Sequence, residues 1–399
     1  TAFTFGMKHK WTYTQRTIPD ISEQLVPLEN TIRNTFIPAL INRHCTDLER
    51  ELLTLPPRLG GLGIVNPSIM ADKEYENSVK LTHQLRKHII EQNKSAEVND
   101  AEILHSRYEI SQEREKKQQE KMKEIERVVT PELALKIQLA NETGASSWLT
   151  SLPIKAKGFN LNKQEFCDAL ALRYGWSIEG LPSICPGCQQ LFNEGHANQC
   201  MTGGYISMRH DEVGDLTHQI LHEVCREVEI EPNLQPCSDV TLSHNTANRQ
   251  IGARVDLSAR GFWTRGQRAF FDVRIFEPSA KCYSGKKLRE MYEKNEKDKI
   301  REYNERIVKV EQGVFTPLVF SAAGGMAPQT QIFYKRIAEL MADKKGESKG
   351  FFSAWLRVRL SFALLRSALL CLRGTRTSRR KIVDLKNTDF ESTVCMSKI

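Results

Sequence analysis

The stretch ARVDLSARGFWTRGQRAFFDVRIFEP, residues 253–278, constrains the fold of this chain more than any other segment. Two apolar runs flank a turn bounded by Gly261 and Gly266, which predicts a β-hairpin. A hairpin that closes at this turn places Asp256 directly opposite Asp272. In that register the apolar residues of both strands share one face of the sheet, and the two carboxylates share the other face.

The two opposed carboxylates need a neutralising partner. Two like charges about 4 Å apart repel by about 4 kcal/mol at an effective dielectric of about 20. A divalent cation between Asp256 and Asp272 would turn this repulsion into attraction, and ligation by oxygen alone favours Mg²⁺ or Mn²⁺. The alternative is a surface charge ladder, in which Arg254 and Arg274 flank the pair on the same face and neutralise the two acids.

A second constrained segment, CPGCQQLFNEGHANQC, holds Cys185, Cys188, His196 and Cys200 at the spacing C-x2-C-x7-H-x3-C. Two cysteines on a Pro-Gly turn can face one ion, and a His and a Cys on one helical turn complete a tetrahedral set. All four positions are then filled by protein ligands, which predicts a structural zinc ion. The alternative is a chance grouping of core thiols and a surface histidine.

Charge and cysteine content bound the class of protein. The chain has 399 residues, ten cysteines, 40% hydrophobic residues and a formal net charge of +8. No secretory signal and no uninterrupted apolar span is visible, which predicts a reducing, intracellular compartment and no membrane contact. In such a compartment cysteines serve as metal ligands or core residues more often than as disulfides.

The positive charge is concentrated towards the carboxyl terminus. Residues 348–383 contain nine lysines and arginines and no acid, which accounts for the whole net charge of +8. A local basic block predicts a polyanionic partner. The segment is predicted to form a helix with an apolar face and projecting arginines. It ends in a basic cluster for which phosphate contact and nuclear import are both open, formed by Arg376, Arg379, Arg380 and Lys381.

A long charged helix follows the hairpin over GKKLREMYEKNEKDKIREYNERIVKV, and FTPLVFSAAGG then predicts a buried strand. Lys299 and Tyr303 lie four positions apart on this helix, so both can face the sheet. With a helix predicted over 211–229, the order is helix, strand, strand, strand, helix, strand (αβββαβ). The predicted fold class is α+β or α/β, with a helical amino-terminal half, a small zinc motif, this core and a basic carboxyl-terminal helix.

These motifs together resemble the carboxyl-terminal part of a LINE-like (non-LTR) retrotransposon polyprotein, in which a CCHC zinc motif precedes a restriction-like endonuclease of the PD-(D/E)xK type. Asp256, preceded by Val where the family has Pro, and Asp272 match the two acids. Lys299 and Tyr303 match the helix-borne pair. Arg274 occupies the position where PD-(D/E)xK enzymes usually have lysine, so either Lys299 or Arg274 is the basic catalytic residue.

The resemblance implies a nuclear, Mg²⁺- or Mn²⁺-dependent endodeoxyribonuclease that nicks target DNA for target-primed reverse transcription. Asp256 and Asp272 would hold the metal. Lys299 would position water or phosphate, and Tyr303 would orient the lysine, touch the backbone or only pack. The nucleic-acid contacts would come from Arg254, Arg274 and the carboxyl-terminal basic cluster. The alternative function is that of a catalytically inactive, zinc-containing, nucleic-acid-binding retroelement remnant.

The amino-terminal part, KWTYTQRTIPDISEQLVPLENTIRNTFIPAL followed by LPPRLGGLGIVNP, resembles the end of a reverse-transcriptase thumb. The polymerase motif Tyr/Phe-x-Asp-Asp is missing, so no polymerase activity is expected from this chain alone. The implied partners are target DNA, element RNA and an upstream polymerase domain. The predicted domains are a thumb remnant at 1–75, a charged helical linker at 76–145, a helical subdomain at 146–182, the zinc motif at 183–211, the endonuclease at 212–345 and a basic helical tail at 346–399.

Overall fold

The computed structural model describes residues 3–93, 99–237, 240–243 and 249–374. The chain divides into two compact units, Thr1–Asn141 and Glu142–Ile399. The fold is α+β, and all strands of its four-stranded mixed sheet lie in the second unit. None of the described helices is both long and apolar enough to cross a membrane.

The described part of the first unit consists of helices and their connections. The π-helical segment Ile32–Phe36 joins two of these helices. The longest helix buries only Ile125, which agrees with the prediction of a solvated charged helix. The helices are α1 (His9–Thr17), α2 (Val26–Thr31), α3 (Ile37–Ile41), α4 (Asp47–Thr54), α5 (Pro67–Leu81), α6 (His83–Ile90), α7 (Asp100–Val128) and α8 (Pro131–Asn141).

The second unit contains the sheet and the helices that cover it. Its elements in chain order are α9 (Ser147–Thr150), α10 (Lys163–Tyr174), α11 (Glu194–Ala197), α12 (Tyr205–Val224), β1 (Arg226–Ile230), β2 (Leu257–Arg260), β3 (Arg268–Phe276), α13 (Leu288–Arg306), β4 (Val314–Ser321), α14 (Pro328–Lys345) and α15 (Lys349–Arg373). From α12 to β4 the order is helix, strand, strand, strand, helix, strand, as predicted from the sequence. The predicted boundary between residues 211 and 212 falls inside α12.

The sheet has the strand order β1-β2-β3-β4, with antiparallel pairs on either side of β2 and a parallel β3–β4 pair. Leu257 lies opposite Phe271, which confirms the predicted hairpin register. Alternate residues of β3 face different layers: Phe271 packs with residues of α12, α14 and α15, whereas Phe270 packs against Tyr303 of α13. The sheet is therefore enclosed between α13 on one face and α12 and α14 on the other, with α15 packed against these two helices.

The helix predicted over 211–229 ends earlier than expected. It spans Tyr205–Val224, and residues 226–230 form β1 instead. This strand is stabilised by ion pairs to its neighbours, including Glu227 with Arg260 and Glu229 with Arg268. The short charged sequence of residues 226–230 is compatible with both a helix and a strand. Partners on the neighbouring strands favour the strand.

Helix α15 belongs to the core and is not a separate tail. Phe352, Trp355 and Leu360 are buried in the same hydrophobic cluster as Phe271 and Leu318 of the sheet. The apolar face of α15 is thus covered mainly by α12 and α14, because a long apolar stripe must be buried against another element. The predicted helix with an apolar packing face is therefore present at residues 349–373.

Three arginines predicted to project from α15 are engaged within the fold. The guanidinium carbon of Arg359 lies 5.7 Å from the centre of the Trp355 ring, and burial lowers the pKa of Arg359 to about 10. Arg366 donates to the carbonyl of Asn160 at 3.0 Å. Arg373 forms a two-point pair with Asp168 at 2.7 and 2.8 Å. These cations hold α15 in place, because guanidinium groups both stack on rings and pair with carboxylates.

A largely buried carboxyl group lies beside the end of β4. Glu142 Oε2 accepts a hydrogen bond from the hydroxyl of Tyr292 at 2.8 Å. Burial raises the pKa of Glu142 to about 7, although the hydrogen bonds from Tyr292 and Ser321 act in the opposite direction. A side chain at Gly325 would collide with this carboxylate, since a Cβ there would lie 1.8 Å from Glu142 Oε2.

The raised pKa of Glu142 predicts a pH-dependent loss of stability. The folded chain holds the proton up to about pH 7, whereas the unfolded chain releases it near pH 4.5, the ordinary value. Glu142 therefore destabilises the fold as pH rises through this window, by on the order of 3 kcal/mol at most. We expect the unfolding free energy of Glu142→Gln minus that of wild type, measured by denaturant titration, to increase from pH 4.5 to pH 7. A difference that stays constant over this range would contradict the assignment.

Candidate active site and metal centre

The two predicted aspartates lie next to each other at the end of the β2–β3 pair. Asp272 is in the middle of β3 and is 3% exposed. Asp256 comes directly before β2, and its side chain is 23% exposed. The Asp256 carboxylate accepts a hydrogen bond from the backbone N–H of Val273, the residue that follows Asp272. One acid is thus buried in the sheet, and the other lies beside it within reach of solvent.

The strand pairing stops one step short of the aspartates. The prediction that Val255 and Val273 share one face is wrong, because Val255 packs with Phe270 on the α13 side and Val273 packs on the other. If the strands continued to pair, the backbone N–H of Val273 would donate to a backbone carbonyl of the other strand. It donates to the Asp256 carboxylate instead. Asp256 therefore lies at the margin of the sheet, where a side chain is less enclosed than in a paired strand.

Helix α13 brings a lysine to the buried acid. Lys299 Nζ lies 2.8 Å from Asp272 Oδ2 and 3.5 Å from Glu302 Oε2. The ammonium group also lies 5.4 Å from the centre of the Tyr303 ring, and this ring packs against Phe315 of β4. The prediction that Lys299 and Tyr303 both face the sheet is confirmed. The lysine side chain is thus fixed between a carboxylate and an aromatic ring.

Burial and like charge shape the ionisation of this cluster. Burial, followed by repulsion from Asp256, raises the pKa of Asp272 to about 6. Burial also lowers the pKa of Lys299, but the Asp272 carboxylate outweighs this effect and the net direction is upward. Burial raises the pKa of Tyr303 above its usual range, and Asp272 adds to the shift. The phenol therefore stays protonated, while Asp272 keeps its charge chiefly through Lys299.

A histidine that the sequence prediction missed completes the cluster. His210 on α12 has its Nε2 atom 3.0 Å from Asp256 Oδ2, and its Nδ1 atom 3.6 Å from Asp211 Oδ1. The hydrogen bond with Asp256 raises the pKa of His210 to about 9. A signal for it exists in the sequence, because His210 lies three residues before the buried Val213 and thus on the stripe of α12 that faces the sheet.

The flanking arginines do not form the predicted charge ladder. Arg254 is exposed and donates to Glu231 at 3.2 Å and to Asn233 at 3.1 Å. Arg274 is partly buried on β3, and no ion pair joins it to an acid among the described residues. The cations that face the two aspartates come instead from α12 and α13. The basic cluster Arg376, Arg379, Arg380 and Lys381 lies outside the described residues.

The predicted zinc ligands converge on one point. The Sγ atom of Cys200 lies 3.9 Å from that of Cys185 and 3.8 Å from that of Cys188. His196 Nε2 lies 3.3 Å from the Sγ atom of Cys188. A tetrahedral zinc site with Zn–S distances of about 2.3 Å places its sulfur atoms about 3.8 Å apart. The donor set and its spacing therefore fit zinc.

The local fold explains how these ligands meet. Gly187 permits the turn, because a Cβ there would lie 2.6 Å from the side chain of Thr202. The amide of Cys200 donates to the carbonyl of His196 at 2.8 Å, which places both ligands on one helical turn. Asn198 in the same turn donates to Glu277 at 2.9 Å. Since Glu277 directly follows β3, the zinc motif is tied to the strand that contains Asp272.

Comparison with known proteins adds no family assignment: a scan against protein-family models and a search of curated proteins found no match. Among the described residues, the Cys/His set is the one group of three or more His, Cys, Asp or Glu side chains with ligand atoms within 4.8 Å of one another. The acid pair with His210 does not meet that criterion. The chain thus has a candidate zinc centre and a separate charged cluster around Asp272.

We expect purified protein to contain about one zinc ion per chain by metal analysis. Cys188→Ser should release the metal, because structural zinc is worth about 10–16 kcal/mol at neutral pH and depends on its thiolates. Cys282→Ser is the matched control. Cys282 is exposed and lines a cleft beside the zinc motif, but it does not belong to the ligand set. Wild-type protein without zinc, or equal zinc loss in both variants, would show that the cluster is not a zinc site.

Proposed function

We propose that this chain is the DNA-cutting module of a non-LTR retroelement, a metal-dependent endonuclease of the restriction-like PD-(D/E)xK type. The observation that supports this function most directly is the convergence of three charged residues from distant parts of the chain. Lys299 Nζ lies 2.8 Å from Asp272, and Asp256 lies across the hairpin. A buried carboxylate beside a second, partly exposed one is expensive to maintain in a fold that makes no use of it.

The acid pair suits a hard divalent cation. Mg²⁺ is usually held by one or two carboxylates and retains several waters, so Asp256 and Asp272 are sufficient protein ligands. When bound, Mg²⁺ or Mn²⁺ supplies charge neutralisation at phosphate and a more acidic bound water. Asp256 is the more exposed of the two acids, and its side chain gives the cluster its access to solvent.

The neighbouring side chains have separate tasks in this proposal. Lys299 holds a positive charge where negative charge develops on the phosphate. Tyr303 keeps its proton and orients the lysine by packing under the ammonium group. His210 holds a proton beside Asp256 and can exchange it with solvent or the leaving oxygen. The lysine is favoured over Arg274 as the basic residue, because Lys299 and not Arg274 contacts Asp272.

A second candidate function is that of an inactive retroelement remnant that binds zinc and nucleic acid without cutting. One observation favours it: Lys299 and His210 already neutralise the two carboxylates. A cluster balanced in this way does not need a metal to be stable. Element RNA, a nuclear location and an upstream polymerase domain remain part of the proposal under either function.

The test is a nicking assay on supercoiled plasmid with Mg²⁺ and zinc-loaded protein. We expect wild type to nick, and Asp272→Asn to lose cutting by several orders of magnitude, because the isosteric amide keeps the shape but not the charge. Asp343→Asn, at an exposed acid on α14, is the matched control and should cut normally. Thermal unfolding of each variant distinguishes lost chemistry from lost folding.

Two results would overturn the nuclease assignment. Cutting that persists in Asp272→Asn would mean that the acid pair is not the active site. A folded, zinc-loaded wild type that never nicks would favour the inactive remnant.

A further inference from the structure

We infer, building on the proposed function, that a group of lysines around Tyr283 binds the phosphate backbone of nucleic acid beside the candidate active site. These residues belong to the loop between β3 and α13 and to the first turns of α13. We refer to them as the Tyr283 lysine cluster, which comprises Lys281, Lys286, Lys287 and Lys294.

Two lysines of this cluster converge on one aromatic ring. Nζ of Lys286 lies 6.0 Å from the centre of the Tyr283 ring, and Nζ of Lys294 lies 5.8 Å from it. The ring itself is fixed, because its hydroxyl donates to Asn295 at 3.0 Å and its face packs against Phe276. Contact with the ring partly offsets the mutual repulsion of the two ammonium groups. The fold therefore holds positive charge at this point.

The cluster has no carboxylate that neutralises it. All four lysines are exposed, and none forms an ion pair with another described residue. The two acids of the same stretch are already engaged: Glu290 accepts the backbone N–H of Lys287, and Glu293 pairs with Arg289 at 2.8 Å. Residues 281–294 thus present a net positive surface that a polyanion can neutralise.

The cluster borders a cleft of about 1160 Å³ that opens beside the zinc motif. One wall is formed by the zinc motif and the other by residues 279–282, which include Lys281. The wall on the zinc side includes Gln190, Asn193 and Gln199, and Glu194 is the one acid in the lining. Amides and lysines are the groups that contact sugar and phosphate oxygens in nucleic-acid complexes.

The distance to the acid pair suits a nucleic-acid backbone. Lys294 on α13 and Lys287, which directly precedes the helix, come before Lys299 in the chain and lie about 7.5 and 18 Å from it along the helix axis. Phosphates of one DNA strand recur about every 3.4 Å along the duplex. A duplex with one phosphate at Lys299 therefore has phosphates about two to five positions away at the level of the cluster.

Nucleic acid fits this surface better than an acidic protein does. Protein interfaces have an apolar centre and are depleted in lysine. No large hydrophobic side chain is exposed within residues 281–294, all of which the structure describes. The exposed apolar side chains of the cleft, Leu191 and Met201, lie on its zinc-side wall, whereas the lysine wall is typical of sequence-independent phosphate contact.

The test compares two triple variants of the full chain that lose the same charge. The first is Lys281→Gln with Lys286→Gln and Lys294→Gln. The matched control is Lys155→Gln with Arg265→Gln and Lys335→Gln, exposed residues elsewhere in the second unit. Binding of fluorescent duplex DNA, of RNA and of polyglutamate is followed by anisotropy over a salt series, without Mg²⁺ and without chelator. Zinc is thus retained and cutting is prevented.

We expect the slope of log affinity against log salt to fall in magnitude by about 2–3 in the cluster variant, because each phosphate contact contributes about 0.9. The control should keep the wild-type slope. A fall with DNA, RNA or both supports the inference and identifies the nucleic acid. Equal slopes in both variants, or binding of polyglutamate in preference to both nucleic acids, would overturn it.

The outcome is separable from that of the nicking assay. A changed slope in a protein that does not nick keeps the lysine cluster and removes the nuclease assignment. Normal nicking with an unchanged slope keeps the nuclease assignment and removes the lysine cluster as a binding surface.

Discussion

A parallel strand pair cannot be joined by a tight turn, and this constraint on β3 and β4 organises the whole second unit. The chain must cross the sheet between the two strands, and α13 is the crossover. That crossing places Lys299 over Asp272, although the two residues are far apart in sequence. The same crossing leaves the loop around Tyr283 at the end of β3, next to the zinc motif. The acid cluster and the lysine cluster thus both depend on the crossover between β3 and β4.

Patterns of short range were predictable from the sequence. The hairpin register, with Leu257 opposite Phe271, follows from the turn glycines and the alternation of apolar residues. The zinc ligands follow from their spacing. The position of His210 was not predictable in the same way, because it depends on how α12 packs on the sheet. Strand β1 was mistaken for helix because its ion-pair partners, such as Arg260, lie on another strand.

The arginines of α15 were expected to project because charge was counted without regard to packing. Nine basic residues in one segment predict a polyanion surface when their side chains are exposed. Arg359, Arg366 and Arg373 instead stack on rings, bond carbonyls or pair with Asp168. Long arginine side chains often cover apolar surface in this way. Four exposed lysines without an ion pair among the described residues instead surround Tyr283, and acids close by in the sequence concealed this charge.

Charge balance at Asp256 and Asp272 distinguishes the two proposed functions. Removing one partner of a buried ion pair costs about 3–5 kcal/mol, because the other charge is left uncompensated. This cost applies to the buried Lys299–Asp272 pair, whether or not the chain cuts DNA. The His210–Asp256 pair is partly exposed and contributes less. A divalent ion between the acids competes with these two cations for the same oxygens. An active nuclease must let Lys299 exchange Asp272 for a phosphate oxygen, whereas an inactive remnant keeps both pairs closed. Lys299 contributes to stability while it is paired with Asp272, and to catalysis once it contacts a phosphate oxygen. Stability and nicking must therefore be measured on the same variants.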